Sequence, residues 1–317
     1  VHFPFRLARD KEFDAVGFGL NAVDHLIVVP AYPAFDTKVR LREHAQAGGG
    51  QTATAMSALS RLGMRTAYAG RFGSDAEGQF GLAELVAEGV NTDLIEVIEG
   101  ARNQVAFIIV DERNGERTVI WDRDERLAYT ASEAPVEIAS RGRVLHLDAH
   151  DPPACAPLAR AARESGAIVS ADIDNIYEGL PELLPLVDVL ISSKEFPHRL
   201  TGIGDERASL VELKARYGCR VVGMTLGKRG ALLYYEGVFI ESPAFAVPGG
   251  CRDTTGAGDA FHAGFIYAIL HGEEIEASMK LANATASLKC RSLGARTSLP
   301  SSAELEEFIR QSPLALS

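Results

Sequence analysis

Short runs of β-branched and aliphatic residues alternate along most of the chain with longer stretches whose apolar positions recur three and four apart. The first pattern predicts buried strands and the second amphipathic helices. Strands are expected over Phe13 to Gly19, Arg65 to Ala69, Val144 to Asp148, Ile168 to Asp172, Val187 to Ile191, Val221 to Thr225 and Leu232 to Tyr235. Helices are expected over Thr52 to Leu62, Glu77 to Glu88, Ala154 to Ser165, Ala208 to Tyr217, Ala257 to Leu270 and Ile275 to Cys290. Strand and helix in alternation predict an α/β fold, a mostly parallel sheet covered on both faces. A last amphipathic helix, Ala303 to Arg310, precedes an end expected to be disordered.

Two segments break the rhythm. Asp24 to Gln46 carries an apolar run, a Pro-rich turn and then Lys38-Val39-Arg40-Leu41-Arg42, which alternates at period two. Gln104 to Trp121 reads as a strand pair around Asn114-Gly115, a strong hairpin signal. Without helices to cover them, these strands predict a small separate sheet, at about residues 24–47 and 103–122.

Composition narrows the picture without fixing it. The chain has 317 residues, 46% of them apolar, enough to bury the core of one domain over residues 1–317. Its net charge of -11 argues against a nucleic-acid or anionic-membrane partner. Cys155, Cys219, Cys251 and Cys290 form no Cys-x-x-Cys pair and read as reduced, buried residues. The N-terminal Val1 to Phe5 has no apolar core of signal length, and no stretch approaches a membrane span, so a soluble cytoplasmic protein is expected.

The most informative chemistry lies at Asp253-Thr254-Thr255-Gly256-Ala257-Gly258-Asp259, just ahead of an apolar helix. Glycines let the N–H groups of Gly256, Ala257 and Gly258 converge at the helix start, which attracts anions. A carboxylate beside such an anion hole repels phosphate but can serve as a base, so Asp259 is the candidate to take a proton from an attacking hydroxyl. The plainer reading makes Asp259 a helix N-cap.

This run resembles the C-terminal signature of the ribokinase, or PfkB-like, sugar kinases. Gly49-Gly50-Gln51-Thr52-Ala53-Thr54-Ala55, Gly70-Arg71-Phe72-Gly73-Ser74-Asp75-Ala76-Glu77-Gly78, Gly19-Leu20-Asn21-Ala22-Val23-Asp24 and Thr225-Leu226-Gly227-Lys228-Arg229-Gly230-Ala231 are similar to further segments of that family, in family order. The resemblance implies a three-layer α/β/α fold with the small sheet as a lid over a sugar, in several members also the dimer contact. It implies ATP and Mg2+ as cofactors and a small sugar, with a primary hydroxyl, as substrate. Asp24, Gly49, Gly50, Gln51, Thr54 and Asp148 would hold the sugar. Thr225, Gly227 and Gly230 would lie at the phosphates, Asn283 and Ala286 near the adenine, and Ser192 and Glu195 would arrange Mg2+, Glu195 through water. In cation-dependent members a monovalent ion such as K+ would take oxygens from Asp253, Thr255, Gly294 and Ser298.

The family usually has Asn where this chain has Ser192, and ribokinase has Asn where this chain has Thr54, which makes ribose itself doubtful. Lys38, Arg40, Arg42, Arg102, Arg123 and Arg126 would signal an acidic substrate if they pointed inward; the alternative is a charged solvent face. His146, Asp148 and His150 alternate at the end of a strand and are expected to share one face, so a zinc site competes with a pocket or core role. Asp172 and Asp174, at the next strand end, are candidates for the magnesium and phosphate region. A dinucleotide fold after Gly17-Phe18-Gly19 is rejected, because Leu26 to Pro30 is β-rich and ends in proline where a helix is required. A nucleoside kinase, with Phe107, Trp121 or Tyr32 stacking a base, and a non-catalytic sugar or nucleotide sensor remain as alternatives.

Overall fold

A computed structural model describes residues 3 and 5–312. The expectation of a disordered C-terminal end concerns residues 313–317, outside the described residues. Thirteen strands appear among them: β1 (Phe13–Phe18), β2 (Ala22–Val29), β3 (Glu43–Gly49), β4 (Thr66–Gly73), β5 (Asn91–Ile98), β6 (Val105–Asp111), β7 (Arg117–Asp122), β8 (Gly142–Leu147), β9 (Ile168–Ile173), β10 (Val189–Ser193), β11 (Val221–Thr225), β12 (Ala231–Tyr235) and β13 (Val238–Ser242). The helices are α1 (Gln51–Arg61), α2 (Ala76–Ala87), α3 (Pro152–Glu164), α4 (Leu180–Leu183), α5 (Glu195–Thr201), α6 (Glu206–Tyr217), α7 (Ala257–His271), α8 (Ile275–Lys289) and α9 (Ser302–Gln311).

Nine strands form one sheet in the order β13-β12-β11-β10-β9-β8-β1-β4-β5, parallel from β11 to β5 and antiparallel at the β12 and β13 edge. Successive side chains leave a strand on opposite faces. Ala15 of β1 and Val144 of β8 therefore join a core with α1, α7 and α8, while Val16 and Leu145 join the opposite core with α3 and α6. These are the three layers expected of the sequence.

The order also fixes where a ligand can enter. From β1 the chain runs to β4 and β5 on one side, then returns to lay β8, β9, β10 and β11 on the other. An open sheet whose order reverses in this way takes ligands in the crevice outside the C-terminal strand ends at the reversal, here those of β1 and β8. Asp148, just past β8, bridges it by accepting from the Leu20 N–H at 2.5 Å.

The small sheet, order β3-β2-β6-β7, packs Leu26, Val28, Ala106, Ile108 and Val110 into its own core. Gly115 has φ 72, as the turn between β6 and β7 needs. One expected strand is absent. Lys38 to Arg42 lie in an exposed connection, and β3 starts at Glu43, because nothing covers Val39 (40% exposed) or Leu41 (48%). Period-two alternation makes a strand only where one face can be buried.

Candidate active site

Helix α7 begins at Gly256, whose φ is 78, and no side chain caps it. A Cβ at Gly256 would lie 2.9 Å from the Cα, Cβ and oxygen of Ala295, so the turn has no room for a side chain. Asp259 sits inside the first helical turn, which excludes the N-cap reading. Its carboxyl thus stands beside first-turn amides that carry the positive end of the helix dipole. Burial, with Asp172, Asp24 and Asp148 nearby, pushes the Asp259 carboxyl well above the ordinary carboxylate range, while Arg117 opposes the shift. A carboxyl so placed takes up a proton more readily than an exposed one.

Asp24 shares a face of β2 with Leu26 and Val28, so the alternation that buries the small sheet also turns Asp24 inward. Burial raises its carboxyl to about 7, against the pull of Arg296. A Cβ on Gly49 would lie 2.3 Å from an Asp24 oxygen, so the paired glycine is what lets the carboxylate stand there. Gly50, at φ 89, starts α1 against the backbone of Leu20 and Asn21. Arg296 donates to the Gly49 carbonyl at 2.6 Å and to the Thr54 hydroxyl at 3.5 Å, so Thr54 faces a buried guanidinium.

Two aspartates at the next strand ends differ in their partners. Asp148 accepts from Leu20 N, from the Thr52 hydroxyl at 2.8 Å and from His150 N at 3.1 Å. Burial raises it, but both oxygens already hold the crevice loops together. Burial also pushes Asp172 upward, yet His262, His146 and a hydrogen bond from Gln51 outweigh it and hold Asp172 below the usual value. Asp174 follows β9 on the open side.

A zinc site does not form. Strand β8 ends at Leu147, and Ala149 at φ 55 breaks the alternation that His146, Asp148 and His150 needed to share a face. His146 instead lies in the core, 3.3 Å from Ser170, its imidazole lowered to about 3 by burial and then by His262. His150 bonds the Tyr177 hydroxyl at 3.1 Å. Among the described residues no group of three or more His, Cys, Asp or Glu is set to hold a metal.

The nucleotide candidates lie along the other half of the strand ends. Thr225 ends β11, followed by a 3-10 turn at Gly227–Arg229 whose Gly227 (φ 58) and Gly230 (φ 94) only glycine adopts easily. Ser192 is buried on β10, 3.5 Å from the Gly223 carbonyl. Glu195 starts α5, 64% exposed and 3.4 Å from Lys194. The Asn283 amide is spent on Ser242 of β13, at 3.0 and 2.9 Å, with Ala286 half-buried on the same helix. Asp259 is gathered with Asp24, Asp148 and Asp172, whose charges bear on its carboxyl.

Most of the six cations expected to signal an acidic substrate are turned outward. Arg42 pairs with Glu112, Arg102 with Asp122 and Arg126 with Asp124, all on exposed surfaces, and Lys38 and Arg40 are exposed. Only Arg123 is inside, in a two-pronged pair with Asp151 at 2.9 and 2.8 Å.

Sequence reasoning missed three cations: Arg117, Lys289 and Arg296. Arg117 of β7 donates to the Thr254 hydroxyl at 2.9 Å, and Gly115 accepts from Thr254, so the hairpin of the small sheet is tied to the Asp253–Asp259 loop. Lys289 carried a legible signal, because it falls on the buried stripe of α8 marked by Ile275, Met279 and Ala282. A lysine in an apolar stripe needs a buried partner.

An open parallel sheet with an uncapped helix start and a raised carboxyl at its strand ends is an arrangement suited to phosphoryl transfer. The chain belongs to the pfkB family of carbohydrate kinases, whose family model matches residues 16–302. It is thus an ATP-dependent carbohydrate kinase. It is 26% identical to a nucleoside kinase of Methanothermobacter thermautotrophicus over 94% of this chain and 95% of that one. It is 28% identical to an ATP-dependent ribose-1-phosphate kinase of Halopiger xanaduensis over 91% of this chain and 95% of that one. Arabidopsis thaliana ribokinase, solved with ribose and ATP, superposes with a TM-score of 0.80 at 23% identity, over 95% of this chain and 99% of that chain. No described helix is long and apolar enough to cross a membrane.

Proposed function

We propose that this kinase transfers the terminal phosphoryl group of ATP to a primary hydroxyl of a small sugar or sugar derivative, with Asp259 as general base. The observation that carries the reading is Asp259 inside the first turn of an uncapped α7, its carboxyl raised by burial and by neighbouring aspartates. Asp259 takes the hydroxyl proton as the oxygen attacks phosphorus, and the first-turn N–H groups at Ala257 and Gly258 hold the charge on the group in transit. Asp24 accepts from sugar hydroxyls beside Gly49, Gly50 and Gln51, while Asp148 and Thr54 hold the pocket wall. Thr225, Gly227 and Gly230 line the phosphates, with Ser192 toward Mg2+. Mg2+, when bound with ATP, neutralises charge on the outer phosphates.

The small sheet is read as a lid that excludes water, a reading supported by its tie to the catalytic loop through Arg117 and Gly115. Its exposed Phe107, Val119, Ile120 and Trp121 favour a homodimer through that sheet. The free cysteines and the net charge of -11 fit a cytoplasmic enzyme without nucleic-acid partners.

A nucleoside acceptor is the second reading. Trp121, His150 and Tyr177 pack in sequence, with ring centroids 5.6 and 5.0 Å apart, and offer aromatic surface where β7 meets the crevice. ADP release from ATP and Mg2+ across ketohexoses, pentoses, sugar acids, sugar phosphates and nucleosides separates the two. Asp259→Asn is expected to lower acceptor-dependent turnover by about a hundredfold or more while ATP binding persists. Near-normal turnover in that variant removes Asp259 from the role of base.

A further inference from the structure

The place where a monovalent ion would sit is already filled by the chain. Lys289, the last residue of α8, is fully buried. Its ammonium donates to the Asp253 carbonyl at 2.9 Å and lies 3.8 Å from the Asp253 carboxylate. The Asp253 carboxylate itself is fully engaged around that pair. Asp253 accepts from the Thr255 N–H at 2.8 Å, the Thr255 hydroxyl at 2.7 Å and the Gly294 N–H at 2.8 Å. The Ser298 hydroxyl donates to the Lys289 carbonyl.

A K+ site needs free oxygens. Here both carboxylate oxygens of Asp253 accept from Thr255 and Gly294, its carbonyl accepts from Lys289, and that ammonium already stands against them as a univalent cation. A second cation beside a buried ammonium would meet like-charge repulsion in a medium that screens poorly. The residues present do not fit K+.

We infer that Lys289 is this kinase's own tethered cation, holding the Asp253–Gly258 loop and making the enzyme independent of monovalent ions. An ammonium is a compact point charge with three donors, suited to a ring of oxygens. Being covalently attached, it costs no binding equilibrium. The inference rests on the proposed role of the Asp253–Gly258 loop as the anion hole. Lys289 contacts no reacting atom and is a positioning residue.

The test compares KCl with tetramethylammonium chloride at equal ionic strength, reading two quantities: the thermal midpoint of the protein without substrates, and acceptor-dependent ADP release. The wild-type protein should give the same midpoint and turnover in both salts. In Lys289→Ala, turnover in tetramethylammonium should fall about tenfold or more, because a buried carboxylate loses its partner. K+ should then enter the vacated space, raise the variant's midpoint and restore most of its turnover.

K+-specific stabilisation or activation of the wild type overturns the inference. So does a folded variant as active as wild type in tetramethylammonium, or one that K+ neither stabilises nor rescues. If Lys289→Ala does not fold in either salt, the wild-type comparison of the two salts decides alone. The midpoints need no acceptor, so they stand even if the proposed phosphoryl transfer is wrong.

Discussion

Replacing Asp24 by Asn should stabilise the substrate-free protein while weakening sugar binding, and the structure sets the size of the first effect. Burial raises the Asp24 carboxyl from its ordinary 3.8 to about 7. A raised acid binds its proton more tightly in the folded state than in the unfolded one. Its contribution to stability is therefore complete below pH 3.8 and is lost as pH rises toward 7. At about 1.4 kcal/mol for each pH unit, the whole gap corresponds to about 4 kcal/mol. Asn keeps the shape and carries no charge, so the variant escapes that loss. Urea unfolding of both proteins from pH 5 to pH 8 reads it directly. The variant should gain on the wild type by about 2 kcal/mol between pH 5 and pH 7, then hold that lead. Curves that stay parallel over this range would refute the argument that Asp24 is a desolvated carboxyl. The same variant should raise the acceptor KM and leave ATP binding unchanged, since Asp24 lies on the small sheet and the nucleotide candidates lie past β10 and β11.

Two other outcomes follow from the α7 start. Gly256→Ala forces a side chain into φ 78 and to 2.9 Å from Ala295. It should cost about 1–3 kcal/mol in thermal or urea unfolding, with a drop in turnover; an unchanged midpoint would mean that the turn is not constrained. With Asp259 held well above the ordinary range, kcat/KM should still be rising with pH beyond the range where an ordinary carboxylate ionises, as the base loses its proton. A profile that levels off within the ordinary carboxylate range would place the base outside this group.

The sequence disclosed those features whose signal is local. Apolar runs at β1, β8, β9 and β11 are buried on both faces, so each reads as a strand with no knowledge of its neighbours. The edge strands β5 and β13 escaped notice because half-covered residues such as Thr92 and Ser242 carry no such run. Asp259 and Gly256 were legible for a similar reason, since a turn and the helix it opens are one contiguous stretch. The counter-charges were not. Arg296 reaches Gly49 across 247 positions, Arg117 reaches Thr254 across 137, and Lys289 reaches Asp253 across 36. A carboxylate advertises its chemistry in its motif, but the cation that steadies it is chosen by the fold. Each acid in such a site therefore predicts a partner whose position only the three-dimensional arrangement supplies. Where burial outweighs that cation the carboxyl is raised, as Asp24 is against Arg296 and Asp259 against Arg117.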